Sequence, residues 1–273
     1  MEVTLLGAGD STGTPAVGCD CGTCRAAKDR GISRTRFSVH VRNPDTDQSL
    51  LIDASPDFRT QFLDHDVPLP DAAVITHIHF DHLDGLGNAY RVFRHLPVHA
   101  SDRVDPATGE SVATTIRQRY DYLDAVQVEE LPPYETREVC GLGVELVPVE
   151  HPPVDCYGVV VTHPSGGKLA ISGDTNWSIP ERSLERFRDP DLFLVDALVP
   201  AAFCENHPAG GAHETPDGIP KTFGSKHLTR EGALALADLV DATEARLVHL
   251  SHFYPPSEAF AEPLAVDGER YDL

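Results

Sequence analysis

The stretch AAVITHIHFDH, residues 72–82, decides the fold of this chain. Its four leading apolar residues predict a buried strand, and the H-x-H-x-D-H motif follows where that strand ends in a loop. Imidazole and carboxylate groups are the ligands that suit Zn, Mn and Fe ions. His77 and His79 point to the same side of an extended segment, and Asp81 and His82 can face a second ion beside the first. His-x-His alone is common in polar loops, but the added Asp-His pair at a strand end predicts a metal site.

Three further potential ligands follow predicted strands later in the chain. They are His151, Asp174 and His252, and each stands just past an apolar segment. Any one of them alone would be typical of a loop. Because all three occur in this order at strand ends, we expect them to meet the H-x-H-x-D-H loop in one site assembled from most of the chain.

The remaining pattern predicts one mixed α/β domain over residues 1–273. Two amphipathic segments, 111–122 and 229–240, predict helices, and Thr229 is suited to be the N-cap of the second, with Glu231 in its first turn. No internal repeat and no linker divides the chain. The predicted buried strands are residues 50–53, 73–76, 144–149, 157–161, 168–172, 192–196 and 245–250.

Two loops stand out between these elements. Residues 205–224 are rich in Gly, Pro and His without periodicity, so we expect either a lid over the site or a mobile loop, with His207 and His213 solvated. The segment GAGDSTGTP, residues 7–15, follows a strand but lacks the G-K-[ST] ending of a P-loop. It predicts a tight turn near the site.

Three of the six cysteines form a C-x-C-x-x-C cluster of Cys19, Cys21 and Cys24. In a chain without a secretory signal, such a cluster is more typical of a metal site than of disulfides. Three thiolates suit a tetrahedral structural Zn that needs one more ligand; a redox cluster or idle thiols are the alternatives. The fourth ligand is not evident from the sequence.

Composition limits the partners of this protein. The chain has 43 acidic against 22 basic residues, a net charge of −21, and only four lysines. This bias resembles halophilic proteins, whose self-repulsion is screened by salt; the alternative is an ordinary acidic protein. The negative field disfavours nucleic acid but not a small anionic substrate held by metal ions. No apolar run approaches the ~20 residues of a membrane span, and no signal peptide is recognisable, so we expect a cytoplasmic protein without a membrane partner.

Taken together, these residues resemble the metallo-β-lactamase superfamily, in its dinuclear hydrolase branch, from Gly7 to about Pro256. The resemblance implies a four-layer αββα sandwich with the site along one edge of the paired sheets. Asp53, in the segment L-I-D-A, matches a residue that orients the His loop by hydrogen bonds. The implied ligands are His77, His79 and His151 for one ion, Asp81, His82 and His252 for the other, and Asp174 as a bridge.

Within that superfamily the chain most resembles the phosphoribosyl cyclic phosphate phosphodiesterases of phosphonate breakdown. The markers are G-x-G-x-S-x-G-x-P before the Cys cluster, R-T-R at 34–36, S-G-D-T at 172–175 and H-L-T at 227–229. The resemblance implies a Zn- or Mn-dependent enzyme in which metal-activated hydroxide attacks a small, cyclic phosphodiester such as phosphoribosyl 1,2-cyclic phosphate. Asp81 and His227 match the catalytic residues, and His227 would act near the leaving group without binding metal.

The same family places the fourth ligand of its structural Zn three residues beyond the last active-site His. With His252 as that last His, the position is occupied by Pro255, so the chain departs from the pattern. We then expect His249 or one of the scattered cysteines to substitute, or the site to be degraded.

Three rival functions share the implied fold. A tRNA 3′-processing endonuclease has similar L-S-H-F-Y-P and H-L-T motifs, but the net charge and the lack of a basic arm disfavour it. A thioester or lactam hydrolase is disfavoured by the Cys cluster and His227. The third rival is a non-catalytic binding protein, like a homologue in quinone-cofactor biosynthesis. In that homologue the H-x-H-x-D-H motif is eroded, whereas in this chain it is complete. Superfamily members are often dimers, so a homodimer is compatible with the sequence, although no segment indicates an interface.

Overall fold

Two mixed β-sheets face each other in the computed structural model, which describes residues 1–106 and 108–273. The first sheet has seven strands in the order β16-β1-β2-β3-β4-β5-β6. Within it, β3, β4, β5 and β6 run parallel, as expected of strands that alternate with helices. These strands are β1 (Glu2–Gly7), β2 (Ser38–Asn43), β3 (Gln48–Ile52), β4 (Ala72–Ile75), β5 (Leu96–Ala100), β6 (Val126–Glu130) and β16 (Arg270–Asp272).

The second sheet has six strands in the order β15-β11-β10-β9-β8-β7. Its strands β10, β11 and β15 run parallel, and β8 runs the same way because both β8 and β10 are antiparallel to β9. These strands are β7 (Arg137–Val139), β8 (Leu142–His151), β9 (Val154–Thr162), β10 (Lys168–Ile171), β11 (Leu192–Asp196) and β15 (Glu244–Val248). All seven strands predicted from apolar segments are therefore present in the two sheets.

Helices cover the outer faces of both sheets. Two of them, α2 and α5, pack on the first sheet, while α6 and α8 pack on the second, which gives the expected four-layer αββα sandwich. The two predicted helices are confirmed, and each has its expected cap: Ser111 accepts from the Thr114 N–H, and Thr229 from the Gly232 N–H. The helices are α1 (Gly22–Arg30), α2 (Phe58–His65), α3 (Phe80–Leu83), α4 (Ala89–Val92), α5 (Val112–Arg119), α6 (Glu181–Phe187), α7 (Ala201–Cys204) and α8 (Arg230–Leu239), with a 3₁₀ turn at Asp84–Asn88.

Strand β11 shows why the apolar runs are continuous rather than alternating. Leu192 and Leu194 face the core between the two sheets, whereas Phe193 and Val195 face the core beneath α6 and α8. Both faces of the strand are therefore buried, as in parallel sheets covered by other layers. Among the described residues, no helix is long and apolar enough to cross a membrane.

The segment 205–224 differs from its prediction as an irregular loop. It forms a hairpin of β12 (Gly211–Glu214) and β13 (Pro220–Phe223), which pairs with β14 (His227–Leu228) in a small third sheet. The prediction of an aperiodic loop is wrong because the two strands pair with each other, and Thr222 is the only buried residue in them, so their burial imposes no apolar alternation. Whether the hairpin moves as a lid stays a prediction.

The two histidines of this segment have protein partners. His207 contacts the rings of Phe203 and Phe223, at 5.3 and 4.8 Å, and is half-buried, so it is only partly solvated and belongs to no group of candidate ligands. His213 is exposed, as predicted, and its ring nitrogens lie within hydrogen-bond distance of the hydroxyls of Ser178 and Thr222.

Candidate metal centre

Asp53 fixes the loop that carries the H-x-H-x-D-H motif. It follows β3, and its carboxylate accepts hydrogen bonds from the N–H and the hydroxyl of Thr76, both at 2.8 Å. His82 Nδ1 donates to the same carboxylate at 2.6 Å. The opposite ring nitrogen, His82 Nε2, is buried without a hydrogen-bond partner. A neutral imidazole held in this way presents the lone pair of Nε2 to the site, which is the arrangement that metal-binding histidines have in proteins.

The first group of candidate ligands consists of His77, His79 and His151. His79 Nδ1 lies 3.0 Å from His77 Nε2 and 3.2 Å from His151 Nε2. His151 Nδ1 donates to the backbone carbonyl of Lys226 at 3.1 Å, so the lone pair of its Nε2 is free when the ring is neutral. Nitrogens bound to one tetrahedral Zn at 2.0–2.1 Å are about 3.3 Å apart, so the spacing fits a shared ion.

The second group consists of Asp81, His82 and His249. Asp81 Oδ2 lies 3.5 Å from His82 Nε2 and 3.5 Å from His249 Nε2. Asp174 joins this group, because its Oδ2 is 3.4 Å from both of these nitrogens. These spacings again match the roughly 3.3 Å between tetrahedral N and O ligands.

Asp174 connects the two groups. The oxygen that faces His82 and His249 is also 3.7 Å from His77 Nε2 and 4.0 Å from His151 Nε2. The sequence predicted Asp174 as a bridge, and the structure places it between the two groups. The seven side chains of both groups therefore fit a pair of divalent ions.

The histidines of the centre fall into two groups according to the direction of their pKa shifts. Burial lowers the pKa of His77 well below its usual value and that of His151 to about 4, so both are neutral and available as ligands. Burial acts in the same direction on His82 and His249, but neighbouring carboxylates outweigh it and raise the pKa of each well above its usual value. Metal binding must therefore release protons from these two rings.

The carboxylates of the centre are held in their charged form. Burial alone would raise the pKa of Asp81 and Asp174. The nearby imidazoles of His82 and His249 dominate instead, lowering the pKa of Asp81 to about 2 and that of Asp174 well below its usual range. Both therefore stay ionised and can bind cations near neutral pH.

His252 does not belong to this centre, and its assignment to the second ion is wrong. Its Nδ1 lies 3.3 Å from Cys19 Sγ and 3.5 Å from the Sγ atoms of both Cys21 and Cys24. Sulfur and nitrogen on one tetrahedral Zn are about 3.6 Å apart, so these four side chains fit a structural Zn. The expectation that His249 or a scattered cysteine completes the cluster is therefore also wrong.

The assignment of His252 was wrong because strand β15 ends earlier than predicted. The strand ends at Val248, not at 250 as predicted, and His249 adopts a left-handed backbone with φ 56° that turns it into the centre. His252 lies beyond that turn, on the side of the Cys cluster. Counted from His249, His252 is the histidine three residues further on, so the family pattern is intact and Pro255 is no departure from it.

The Cys cluster sits at the start of α1. Cys21 is the N-cap of this helix, and its sulfur accepts a hydrogen bond from the Cys24 N–H at 3.4 Å. Burial raises the pKa of Cys21, but this bond and those from His252 and neighbouring thiols lower it to about 6, so this sulfur is a thiolate at neutral pH. A thiolate is the form in which cysteine binds Zn.

Asp196 is a functional residue that the sequence analysis missed. It ends β11, and its Oδ2 accepts hydrogen bonds from His227 Nδ1 at 3.1 Å and from the Leu228 N–H at 3.3 Å. Its Oδ1 is 3.5 Å from His249 Nδ1. Asp196 thus holds His227 by a hydrogen bond and faces the candidate ligand His249 without one. The available signal was its position, since Asp53 and Asp174 also follow buried strands.

His227 lies beside the ligands, as predicted. Its ring stacks on that of His249, with centroids 5.0 Å apart and an angle of 16° between the planes. The ring of His151 is at 4.8 Å. Because Asp196 holds Nδ1, the opposite nitrogen of His227 is the one that could exchange a proton or bind an ion.

A cavity of about 240 Å³ opens onto these side chains. Besides ligands and His227, it is lined by Ser11, Phe80 and Lys226. Ser11 belongs to the Gly-rich segment 7–15, so the turn predicted near the site does lie there. Burial is the main cause that lowers the pKa of His79, and the Lys226 ammonium contributes in the same direction.

A second, larger cavity of about 420 Å³ shares His151 with the first. Its lining includes Arg103, Glu150 and Tyr157. The two cavities therefore both border this candidate ligand.

Comparison with known proteins agrees with this geometry. The β-lactamase superfamily domain matches residues 48–250. An octanoyltransferase of Porphyromonas gingivalis is 30% identical over 267 residues, which are 97% of this chain and 49% of that protein. The chain thus spans about half the length of this curated relative.

Two solved structures are similar over the whole chain. A diphosphatase from the PhnP family is 27% identical, with a TM-score of 0.77 over 100% of this chain and 97% of its own. Zn²⁺-bound PqqB from Methylobacterium extorquens is 22% identical, with a TM-score of 0.78 over 100% of both chains. At that identity the likeness to PqqB concerns the fold alone.

Proposed function

Because the chain belongs to the β-lactamase superfamily, we propose that it is a dinuclear metal-dependent phosphodiesterase that hydrolyses a small, cyclic phosphodiester such as phosphoribosyl 1,2-cyclic phosphate. One observation carries the proposal: a full set of seven candidate ligands converges beside His227, whose Nδ1 is held by Asp196 at 3.1 Å. The likeness to a diphosphatase supports a phosphate group as the site of attack. The cavity of about 240 Å³ suits a small substrate.

The ligands fit Zn or Mn, since nitrogen and oxygen donors accommodate both. When bound, a pair of such ions supplies Lewis acidity, which lowers the pKa of an attacking water molecule and offsets the charge of the phosphate. Asp81 and Asp174 contribute the negative charge that keeps two cations close together. Asp53 orients His82 from behind by a hydrogen bond, so this ligand is positioned before any ion arrives, and Asp196 lies behind His249 at 3.5 Å.

His227 is the proton donor in this proposal. Its Nδ1–H donates to Asp196, so a second proton must reside on Nε2. The Asp196 carboxylate stabilises the imidazolium that results. This imidazolium donates to the departing alkoxide or to a phosphate oxygen, and the neutral ring is recharged from water.

The experiment is a hydrolysis assay of the purified protein, loaded with Mn or Zn and kept in high KCl because of its acidic composition. The substrates are phosphoribosyl 1,2-cyclic phosphate, a 2′,3′-cyclic nucleotide, a tRNA precursor and an octanoyl thioester, the last because of the similarity to an octanoyltransferase. Asp81→Ala is the inactive variant, and Asp64→Ala is its control, because Asp64 is exposed on α2.

Turnover of a cyclic phosphate that is lost in Asp81→Ala but kept in Asp64→Ala would support the proposal. Cleavage of the tRNA precursor or the thioester alone would replace it with an endonuclease or an acyl hydrolase. A fully metallated protein that turns over nothing would favour a binding protein in cofactor biosynthesis.

A further inference from the structure

Four aromatic rings connect the Cys cluster with strand β13. The ring of Phe253 has its centroid 4.3 Å from that of His252, the histidine that faces the Cys cluster. Phe253 also stacks on Phe203, with centroids 4.6 Å apart and an angle of 23° between the planes. Together with two rings nearer to the hairpin, these side chains form what we call the aromatic cluster: Phe253, Phe203, Phe223 and His207.

Phe203 is the central member of the aromatic cluster. Besides Phe253, its ring contacts that of Phe223 at 5.8 Å and that of His207 at 5.3 Å. Phe203 belongs to α7, which packs on β13. Within residues 1–106 and 108–273, the phenylalanine rings of the aromatic cluster belong to neither of the two hydrophobic cores. The packing of the two large sheets therefore does not account for this cluster.

Strand β13 extends the connection to His227. It pairs with β14, and the register places Phe223 directly opposite His227. Strand β14 has two residues, so its position depends on its neighbours. Asp196 holds it on one side through His227 Nδ1 and the Leu228 N–H, and β13 holds it on the other. A shift of β13 would therefore move the His227 ring relative to Asp196 and the candidate ligands.

The other end of the aromatic cluster depends on the Cys cluster. Phe253 directly follows His252, whose ring lies within 3.5 Å of all three sulfur atoms and fits a Zn ligand. Phe253 is 49% exposed, so burial alone does not fix its ring. A bound Zn would hold the main chain at His252 and thereby the stack of Phe253 on Phe203.

We propose that Phe203 and Phe253 are positioning residues for His227, and that they couple occupation of the Cys cluster by Zn to the order of β13 and β14. The role of His227 as proton donor rests on the proposed function. The connection between the Cys cluster and β14 does not, so it can be tested without a substrate.

Hydrogen exchange of the full chain, with its active-site metal bound, tests this connection. The exchange rates compared are those of peptides that cover β13 and β14, with α5 as an internal reference. The variants are Phe203→Ala, Phe203→Tyr, Phe253→Ala and Cys21→Ser, of which the last removes a thiolate but keeps an N-cap for α1. Metal analysis checks that Cys21→Ser loses the Cys-cluster ion. Tyr122→Ala is the control, because it removes an exposed ring outside the aromatic cluster.

One aromatic pair corresponds to about 2–10-fold in an equilibrium constant. Phe203→Ala removes three ring contacts, so we expect β13 and β14 to open about tenfold more often. Phe203→Tyr should restore slow exchange, and Tyr122→Ala should not change it. Cys21→Ser should also accelerate exchange, and adding Phe253→Ala to it should have little further effect, because both changes break the same connection.

Exchange of β13 and β14 that stays within twofold of the wild type in Phe203→Ala or in Cys21→Ser would overturn the proposal. Full multiplication of the effects of Cys21→Ser and Phe253→Ala would overturn it as well, since the two would then act independently. An equal acceleration in α5 would do the same, because it would indicate general loosening of the fold.

Turnover tests the role of His227 separately. If the protein hydrolyses phosphodiesters, Phe203→Ala should lower kcat more for alkyl than for aryl leaving groups, because an alkoxide needs the proton, and Phe203→Tyr should recover it. An equal loss for both kinds of leaving group would contradict an effect through His227. A protein that hydrolyses no phosphodiester would refute the proposed function, and the exchange rates would still decide the connection.

Discussion

Substituting Asp196 with Asn tests the proton donor in the proposed reaction. Asp196 Oδ2 accepts hydrogen bonds from His227 Nδ1 and from the N–H groups of Leu228 and Thr175, at 3.1, 3.3 and 3.1 Å. An Asn amide keeps one acceptor oxygen but loses the charge that stabilises a protonated His227. A charge-assisted hydrogen bond contributes about 1.5–3 kcal/mol, so we expect kcat to fall about 10–100-fold.

The assay is a series of aryl and alkyl phosphodiesters with increasingly basic leaving groups, at saturating metal. A good leaving group needs no proton, so its turnover should fall least in Asp196→Asn, whereas an alkoxide should show the full loss. Saturating metal removes the effect of a weakened His249, because a residue that orients a ligand alters metal affinity about 10–100-fold. Asp191→Asn, just before the same strand, serves as the control and should behave as the wild type.

The same loss for every leaving group in Asp196→Asn would refute the reasoning, because it would indicate a general disturbance of the centre. A loss of turnover smaller than about threefold with the alkoxide leaving group would also refute it, since the loss of one charge-assisted hydrogen bond predicts a larger effect.

Three further predictions follow from the placement of single histidines. Metal analysis should show that His249→Ala loses active-site metal and keeps the Cys-cluster ion, and that His252→Ala does the reverse; the opposite pattern would restore the assignment made from sequence. Zinc binding should release protons and tighten as pH rises, because carboxylates overcome burial and raise the pKa of His82 and His249; titrations in buffers of different ionisation enthalpy measure this, and no proton release would contradict it. Burial lowers the pKa of His40 from 6.5 to about 4. Between these two pH values only the unfolded state binds the proton, so the free energy of unfolding should fall by about 3 kcal/mol as the pH drops from the first value to the second. Urea denaturation of wild type and His40→Gln checks it, and an unchanged pH dependence in the variant would refute it.

Much of the fold was predictable because several central strands, such as β4 and β11, are apolar over nearly their whole length. Segments such as 192–196 are buried on both faces, so their composition alone identifies them. The H-x-H-x-D-H loop was predictable for a different reason: its ligand types are concentrated within six residues. Short-range sequence patterns of this kind do not depend on how the sheets pair.

The division of His249 and His252 between two sites could not be predicted in the same way. Both follow one apolar strand, and the residue at which that strand ends depends on its pairing with β11 and on the turn at His249. Asp196 presents the same problem, since its partners come from β14 and from the loop after β15. The hairpin at 211–223 was missed because its pairing is local and its residues are mostly exposed.

Anomalous diffraction from crystals of the metal-loaded protein tests the central claim most directly. The account predicts two peaks about 3.5–4 Å apart, one on each side of Asp174, with His249 bound to the second. It also predicts a third peak among Cys19, Cys21, Cys24 and His252. A single peak at the Asp174 centre, or one bound by His252 in place of His249, would contradict it.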